Sequence, residues 1–176
     1  VSINGVLDKF DYEFAVMRGS SNEFTARDDP YVFSGRVGSP ENRNLVIGLS
    51  AFSGEVLNAS GTANRKRIGV DLAYYFYQWE FLLEASGGKD EDSDIVNFLA
   101  EASWRSPMET CHLYTQLRQN HNKTNQNWND STRLSLGMKY DVNKIVSLSG
   151  EVIHDIDVMP AVSKQTSLML QLRIRI

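Results

Sequence analysis

Side chains able to do acid–base, nucleophilic or metal chemistry are few in this sequence and poorly spaced for it. There are three histidines, His112, His121 and His154, and one cysteine, Cys111. A general acid–base pair needs two groups within hydrogen-bond reach. His154 and Asp155 are neighbours, but neighbours in an extended chain point to opposite faces. His121 falls in an asparagine-rich stretch that reads as a loop, and His112 falls on a polar face. No His, Cys, Asp or Glu cluster has the spacing of a structural zinc site. The run Asp90, Glu91, Asp92 and Asp94 could attract a divalent cation, yet it lacks the ligand order of a helix–loop–helix calcium site and reads as a solvated loop. No glycine-rich phosphate cradle opens a helix. Cys111 allows no internal disulfide and reads as a small apolar residue. The expectation is no catalytic residue, no cofactor and no metal.

What the sequence does hold is charge at regular spacing. The basic candidates are Arg36, Arg67, Arg105, Arg118, Arg133, Lys139, Arg173 and Arg175, with His112 beside them. The acidic candidates are Asp11, Glu13, Asp71, Glu80, Glu84, Glu101 and Glu151. Both signs are well represented, with 18 Lys plus Arg against 22 Asp plus Glu and a net charge of -4. That balance carries no electrostatic footprint for nucleic acid.

Each candidate is flanked by apolar residues in a period-two pattern, the signature of half-apolar strands. Phe10, Tyr12, Phe14 and Val16 oppose Asp11 and Glu13. Ile68, Val70, Leu72, Tyr74 and Phe76 oppose Arg67 and Asp71. Val96, Phe98, Ala100, Ala102 and Trp104 oppose Glu101 and Arg105. Similar runs begin near Tyr31, Leu45, Trp79, Cys111, Leu134, Val146 and Leu168, about ten strands in all. Val1-Ser2-Ile3-Asn4-Gly5 reads as the end of a further strand, and the chain as one domain over 1–176 that lacks its first strands. Each run has about the 9–11 residues that a tilted strand needs to cross a bilayer. No stretch reaches the roughly 18 apolar residues of a membrane helix, and the mean hydropathy is -0.34. Alternating strands average to such a value even when they span a membrane.

Connections fall into two sets. Short turns are expected at Ser39–Asn44, Tyr77–Gln78, Ser106–Thr110 and Asp141–Lys144. Longer loops are expected at Gly19–Pro30, Glu55–Asn64, Gly87–Asp94, Asn120–Asp130 and Asp155–Lys164. Phe10, Phe76, Trp79, Trp104 and Tyr140 lie beside the short turns, where an interfacial ring of aromatics would form. The pattern predicts an all-β, antiparallel transmembrane barrel. Its charged candidates would line an aqueous lumen, since arginine on the lipid face costs about 2–4 kcal/mol at the midplane.

Several segments resemble the later part of bacterial outer-membrane porins of the phosphate-selective O/P type: Phe10-Asp11-Tyr12-Glu13-Phe14-Ala15-Val16, Ser34-Gly35-Arg36-Val37-Gly38, Leu45-Val46-Ile47-Gly48-Leu49-Ser50 and Arg67-Ile68-Gly69-Val70-Asp71-Leu72. The resemblance implies a barrel of around sixteen or more strands, often a homotrimer, embedded in outer-membrane lipid and lipopolysaccharide. It implies passive diffusion of small hydrophilic solutes and ions without chemistry. Leu168, Leu170, Leu172, Ile174 and Ile176 resemble the terminal strand read by the barrel assembly machinery, although that strand more often ends in an aromatic. The alternatives are a barrel that sheathes an electron-transfer or secretion partner, a soluble β-sandwich and a barrel hydrolase.

Overall fold

A segment with one apolar and one polar face leaves its backbone polar groups to be satisfied by neighbours. Here they are satisfied by an antiparallel ladder. The computed structural model describes residues 1–19, 30–40, 43–58, 61–124, 127–158 and 163–174. They form eleven strands: β1 Ser2–Leu7, β2 Phe10–Arg18, β3 Tyr31–Gly38, β4 Leu45–Asn58, β5 Gly61–Phe76, β6 Trp79–Asp90, β7 Ser93–Arg105, β8 Cys111–Thr124, β9 Asn127–Asp141, β10 Val146–Asp157 and β11 Thr166–Ile174. Each strand pairs with the next in chain order, β1 through β11, in one up-and-down sheet. Among the described residues no pairing joins β11 back to β1, so the sheet is an open arc of barrel wall. The opening residues thus form a strand of their own, β1, paired along its length with β2.

The register divides the residues cleanly. Partners across neighbouring strands share a face. Phe14, Gly35, Ala51, Ile68, Gly87, Val96 and His121 follow one another across the outward face. Large apolar side chains stand exposed on that face, including Ile68 at 72%, Leu136 at 63% and Leu170 at 77%. The buried residues Val32, Val46, Ala63, Ala73, Ser103, Ser135 and Ser147 all belong to the other face. Only the concave side of a curved sheet crowds its side chains in this way. The run from Val146 keeps strict alternation until a bulge between Asp155 and Asp157.

The strands are longer than expected and the loops shorter. Three supposed long loops are mostly paired strand: Asn58 partners Gly61, Asp90 partners Ser93, and Thr124 partners Asn127. The reason lies in composition. Polar residues beyond the membrane break the apolar alternation but still pair through their backbones. β5, with 16 residues, covers roughly 50 Å along its axis, or about 35 Å of height at a tilt of about 45°. Its outward residues are apolar from Phe76 back to Ile68 and then become Lys66, Asn64 and Thr62. The apolar part rises about 20 Å, close to the height of a lipid-facing band. Tight turns at the opposite end begin at Asp8 and Tyr77 with positive φ values of 34° and 53°, the local twist that two-residue hairpins require. Most of Gly19–Pro30 lies outside the described residues.

At that short-turn end, the aromatic ring expected from the sequence is assembled by register. Trp79 partners both Phe76 and Trp104, and Tyr140 partners Cys111, all on the outward face. Tyr74 and Phe81 extend the group. Trp79 and Phe81 stack at 6.0 Å, and Tyr74 and Phe81 at 6.5 Å.

A charge introduced on the outward face should cost far more than the same charge on the concave face. Leu136→Arg is expected to lower unfolding free energy in lipid vesicles by about 2–4 kcal/mol, against under about 1 kcal/mol for Gln171→Arg. Urea titration of the refolded chain measures both, and equal losses would sink the assignment of faces.

Candidate functional site

The charged residues singled out by sequence are brought together on the concave face, the one opposite the apolar belt. Register places Asp11, Glu13, Arg36, Arg67, Asp71, Glu80, Glu84, Glu101, Arg105, His112, Arg118, Arg133, Lys139, Glu151 and Arg173 there. Arg175 lies outside the described residues, as does Ile176.

Their side chains engage one another in a repeated way. Arg36 on β3 reaches across β4 to Asp71 on β5, its Nε and Nη2 donating to the two carboxylate oxygens at 3.1 and 2.6 Å. It can do so because Gly48 lies between them. A Cβ on Gly48 would stand 2.5 Å from Asp71 Oδ1 and 2.6 Å from Arg36 Nη2. The same arrangement recurs five strands on. Tyr114 on β8 lies across Gly137 of β9, and its side chain hydrogen-bonds Glu151 on β10. In each case a long side chain lies flat over a glycine and ends on a carboxylate two strands away. The bidentate arginine geometry is the stronger of the two, since both partners carry charge.

Other pairs line the same wall. Gln116 donates to Glu101 at 2.7 Å and accepts from Arg118 at 2.6 Å, forming a three-residue chain. Arg133 meets Asp155 at 2.9 Å, Lys139 meets Asp141 at 2.9 Å, and Arg105 meets Glu80 at 3.5 Å. Nearer the long-strand end, Asp90 takes Arg67 at 2.7 Å and Arg65 at 3.4 Å. The acidic run is thereby divided between faces, with Asp90 turned inward and Asp94 outward beside Lys89 at 3.9 Å.

One row of partners runs Asp71, Glu84, Leu99, Arg118, Arg133 and Asp155 from β5 to β10. Two carboxylates are followed by two guanidiniums, so charge of opposite sign is spread along the arc. Straddling this row, Arg36, Asp71, Glu84, Arg118, Asn97 and Asn120 border a hollow of about 720 Å³ on the concave face. The hollow is open to one side, unlike a closed substrate pocket.

The histidines are dispersed. His112 is on the concave face, its ring 5.9 Å from that of Tyr114 and tilted to it by 35°. His121 belongs to β8, not to a loop, and contacts Asp130 at 2.8 Å on the outward face. His154 faces outward to Thr166 at 2.8 Å, whereas Asp155 faces inward to Arg133. Sequence reasoning overlooked Tyr114, Arg65 and Asp90 as members of the wall. Tyr114 shares parity with His112, Gln116 and Arg118, and that signal was available. Asp90 was hidden by the supposed loop Gly87–Asp94, and Arg65 falls between the supposed loop Glu55–Asn64 and the alternating run of β5.

No protein-family model and no curated protein matches the sequence. Solved structures do match in fold. A porin refined at 1.8 Å superposes with a TM-score of 0.73 over 96% of this chain at 13% identity. OmpT, an outer-membrane protein of Vibrio cholerae, superposes with a TM-score of 0.75 over 98% at 12% identity. An anion-selective porin from Comamonas acidovorans gives 0.69 over 98% at 14% identity. The fold is that of the outer-membrane β-barrels. The chain spans about three-fifths of the length of these barrels, 59%, 62% and 57% respectively.

In such a barrel wall the Arg36–Asp71 strap depends on the bare backbone at Gly48. Gly48→Val is expected to displace it and lower stability by about 1–3 kcal/mol. Asp71→Asn should then cost markedly less in the Gly48→Val background than alone, because both changes break the same contact. Additive losses in denaturant titrations of the four proteins would show that the strap does not act through Gly48.

Proposed function

We propose that this chain forms part of the wall of an outer-membrane porin, through which small hydrophilic solutes and ions diffuse passively. The observation that carries the reading is the gathering of paired and opposed charges on the concave face, behind an apolar belt on the other. Water must fill such a lumen, since the wall offers many charges and no packed interior. Opposite signs spread along one arc set up a transverse field, which orients polar solutes and slows apolar ones.

Selectivity is weak in this reading. Several arginines are matched at short range by carboxylates, as at Arg36–Asp71 and Arg133–Asp155. The segment resemblances to the O/P type support kinship with that group, but the balance of charge on this wall does not single out phosphate. The reading assigns no catalytic chemistry, which agrees with the separation of His154 from Asp155 across the sheet. It places the chain among outer-membrane lipid and lipopolysaccharide, with β11 as the strand presented to the barrel assembly machinery and homotrimers as the working assembly.

Reconstituted in planar bilayers, the protein should give ohmic steps whose conductance scales with salt. Arg118→Glu should shift the reversal potential in a salt gradient toward cation preference while leaving the steps in place. A refolded barrel that carries no current would end the pore reading.

A further inference from the structure

Four charged side chains border the hollow on the concave face, and two of them are already matched. Arg36 and Asp71 take each other at 2.6 Å. Glu84 makes no hydrogen bond or ion pair among the described residues. Arg118 donates its Nε to the Gln116 side-chain oxygen at 2.6 Å, and its two terminal nitrogens meet no acceptor among the described residues. One acid and one base are therefore left open in the same hollow.

Register sets the distance between them. Glu84 of β6 partners Leu99 of β7, and Leu99 partners Arg118 of β8. Neighbouring strands lie about 4.8 Å apart, so the two Cα atoms stand about 9.6 Å apart with Leu99 between them. Arg36 and Asp71 are also two strands apart, and they meet across the bare backbone of Gly48. Leu99 fills the corresponding place here and keeps Arg118 off Glu84. In the adjoining row of the same face Ser86, Asn97 and Asn120 are successive partners. Asn97 donates to Ser86 at 3.5 Å, and Asn120 donates to Ser131 at 3.4 Å. Each amide keeps its carbonyl oxygen and one N–H for a solute.

We propose that this site takes a short zwitterionic peptide, its ammonium end at Glu84, its carboxylate end at Arg118 and a peptide link on the Asn97 and Asn120 amides. Simpler solutes fit less well. An anion gains Arg118 and is repelled by Glu84, and a cation meets the reverse. A neutral sugar brings no charge of its own to either group. A single amino acid holds its charges only about 2.5 Å apart, whereas two or three residues extend about 7–10 Å and span the gap. Both charged side chains are solvent-exposed. Each end therefore adds only about threefold to affinity, which favours entry of the solute without holding it. The site names a solute class for the proposed pore and rests on that reading for the solute's route.

Triglycine, its N-acetyl form, its C-terminal amide and the doubly capped form are matched probes. Added to the protein in planar bilayers, each is read by the ion current it blocks. Titration calorimetry of the full chain refolded in detergent reads the same order without a current. Triglycine should bind about threefold more tightly than either singly capped form and about tenfold more tightly than the doubly capped one. Glu84→Gln should erase only the contrast between free and acetylated amine, and Arg118→Gln only that between acid and amide. Leu99→Gly should let Arg118 close on Glu84 and remove both contrasts with both charges retained. Equal binding of the four probes by the intact chain overturns the site, as does tightest binding of a singly capped form. A charge variant that keeps its own contrast overturns it too, and where a variant does not fold the intact chain decides. Should current be absent while calorimetry keeps the order, the pore reading falls and the site stands. A current that all four probes block equally ends the site alone.

Discussion

In hydrocarbon no backbone N–H or C=O can be left without a partner, and everything else in this structure follows from that. With no helix among the described residues long and apolar enough to cross, the groups must be satisfied between strands. Each strand from β2 to β10 is hydrogen-bonded on both sides, and the sheet runs in chain order without a crossover. That ladder leaves side chains only two directions, so lipid and water are separated by parity alone. The outer edges of β1 and β11 obey the same rule. Among the described residues neither edge is paired, and wherever they meet hydrocarbon they need further strands.

Parity also explains the form of the polar wall. A side chain on a concave face has little room to project, and rows of neighbours crowd it. Arg36 and Tyr114 resolve this by lying flat, each across a glycine on the adjacent strand. Flat side chains leave the concave side uncrowded, and their ends find carboxylates two strands away. Arg36 and Asp71 retain 31% and 26% exposure, so water screens the attraction and the pair contributes modestly to stability. Its larger effect is to fix where each charge stands on the concave face.

Much of this was legible in the sequence. The alternation of Ile68, Val70, Leu72, Tyr74 and Phe76 against Arg67 and Asp71 determines strand, face and charge placement at once, because period two has no other reading at that length. The strand ends were less legible. Beyond Lys66, both faces of β5 are polar, and periodicity vanishes although pairing continues to Gly61. Asp90 was therefore read as a loop residue rather than as the partner of Arg67. Glycine straps were illegible for another reason. Gly48 and Gly137 look like gaps in the alternation until the neighbouring strands are in register. Only then does the missing Cβ become the space that Arg36 or Tyr114 occupies.

The two ends of the wall differ because they meet different interfaces. At the short-turn end, Phe76, Trp79 and Trp104 are partners in one row, and rings of this kind sit at headgroup level with an apolar body and, for tryptophan, a polar edge. At the other end the belt stops at Ile68 and gives way at once to lysine rather than to a second broad aromatic row. Of the outward aromatics at that end, Tyr31 and Phe33 stand on β3, with Phe33 two strands from Lys66 in the same row. A lysine stem can cover apolar surface while its ammonium reaches water. Aromatic rings anchor by fitting any headgroup layer, whereas ammonium groups require anions. The wall thus meets its two boundaries with different chemistry, rings at one edge and ammonium groups at the other.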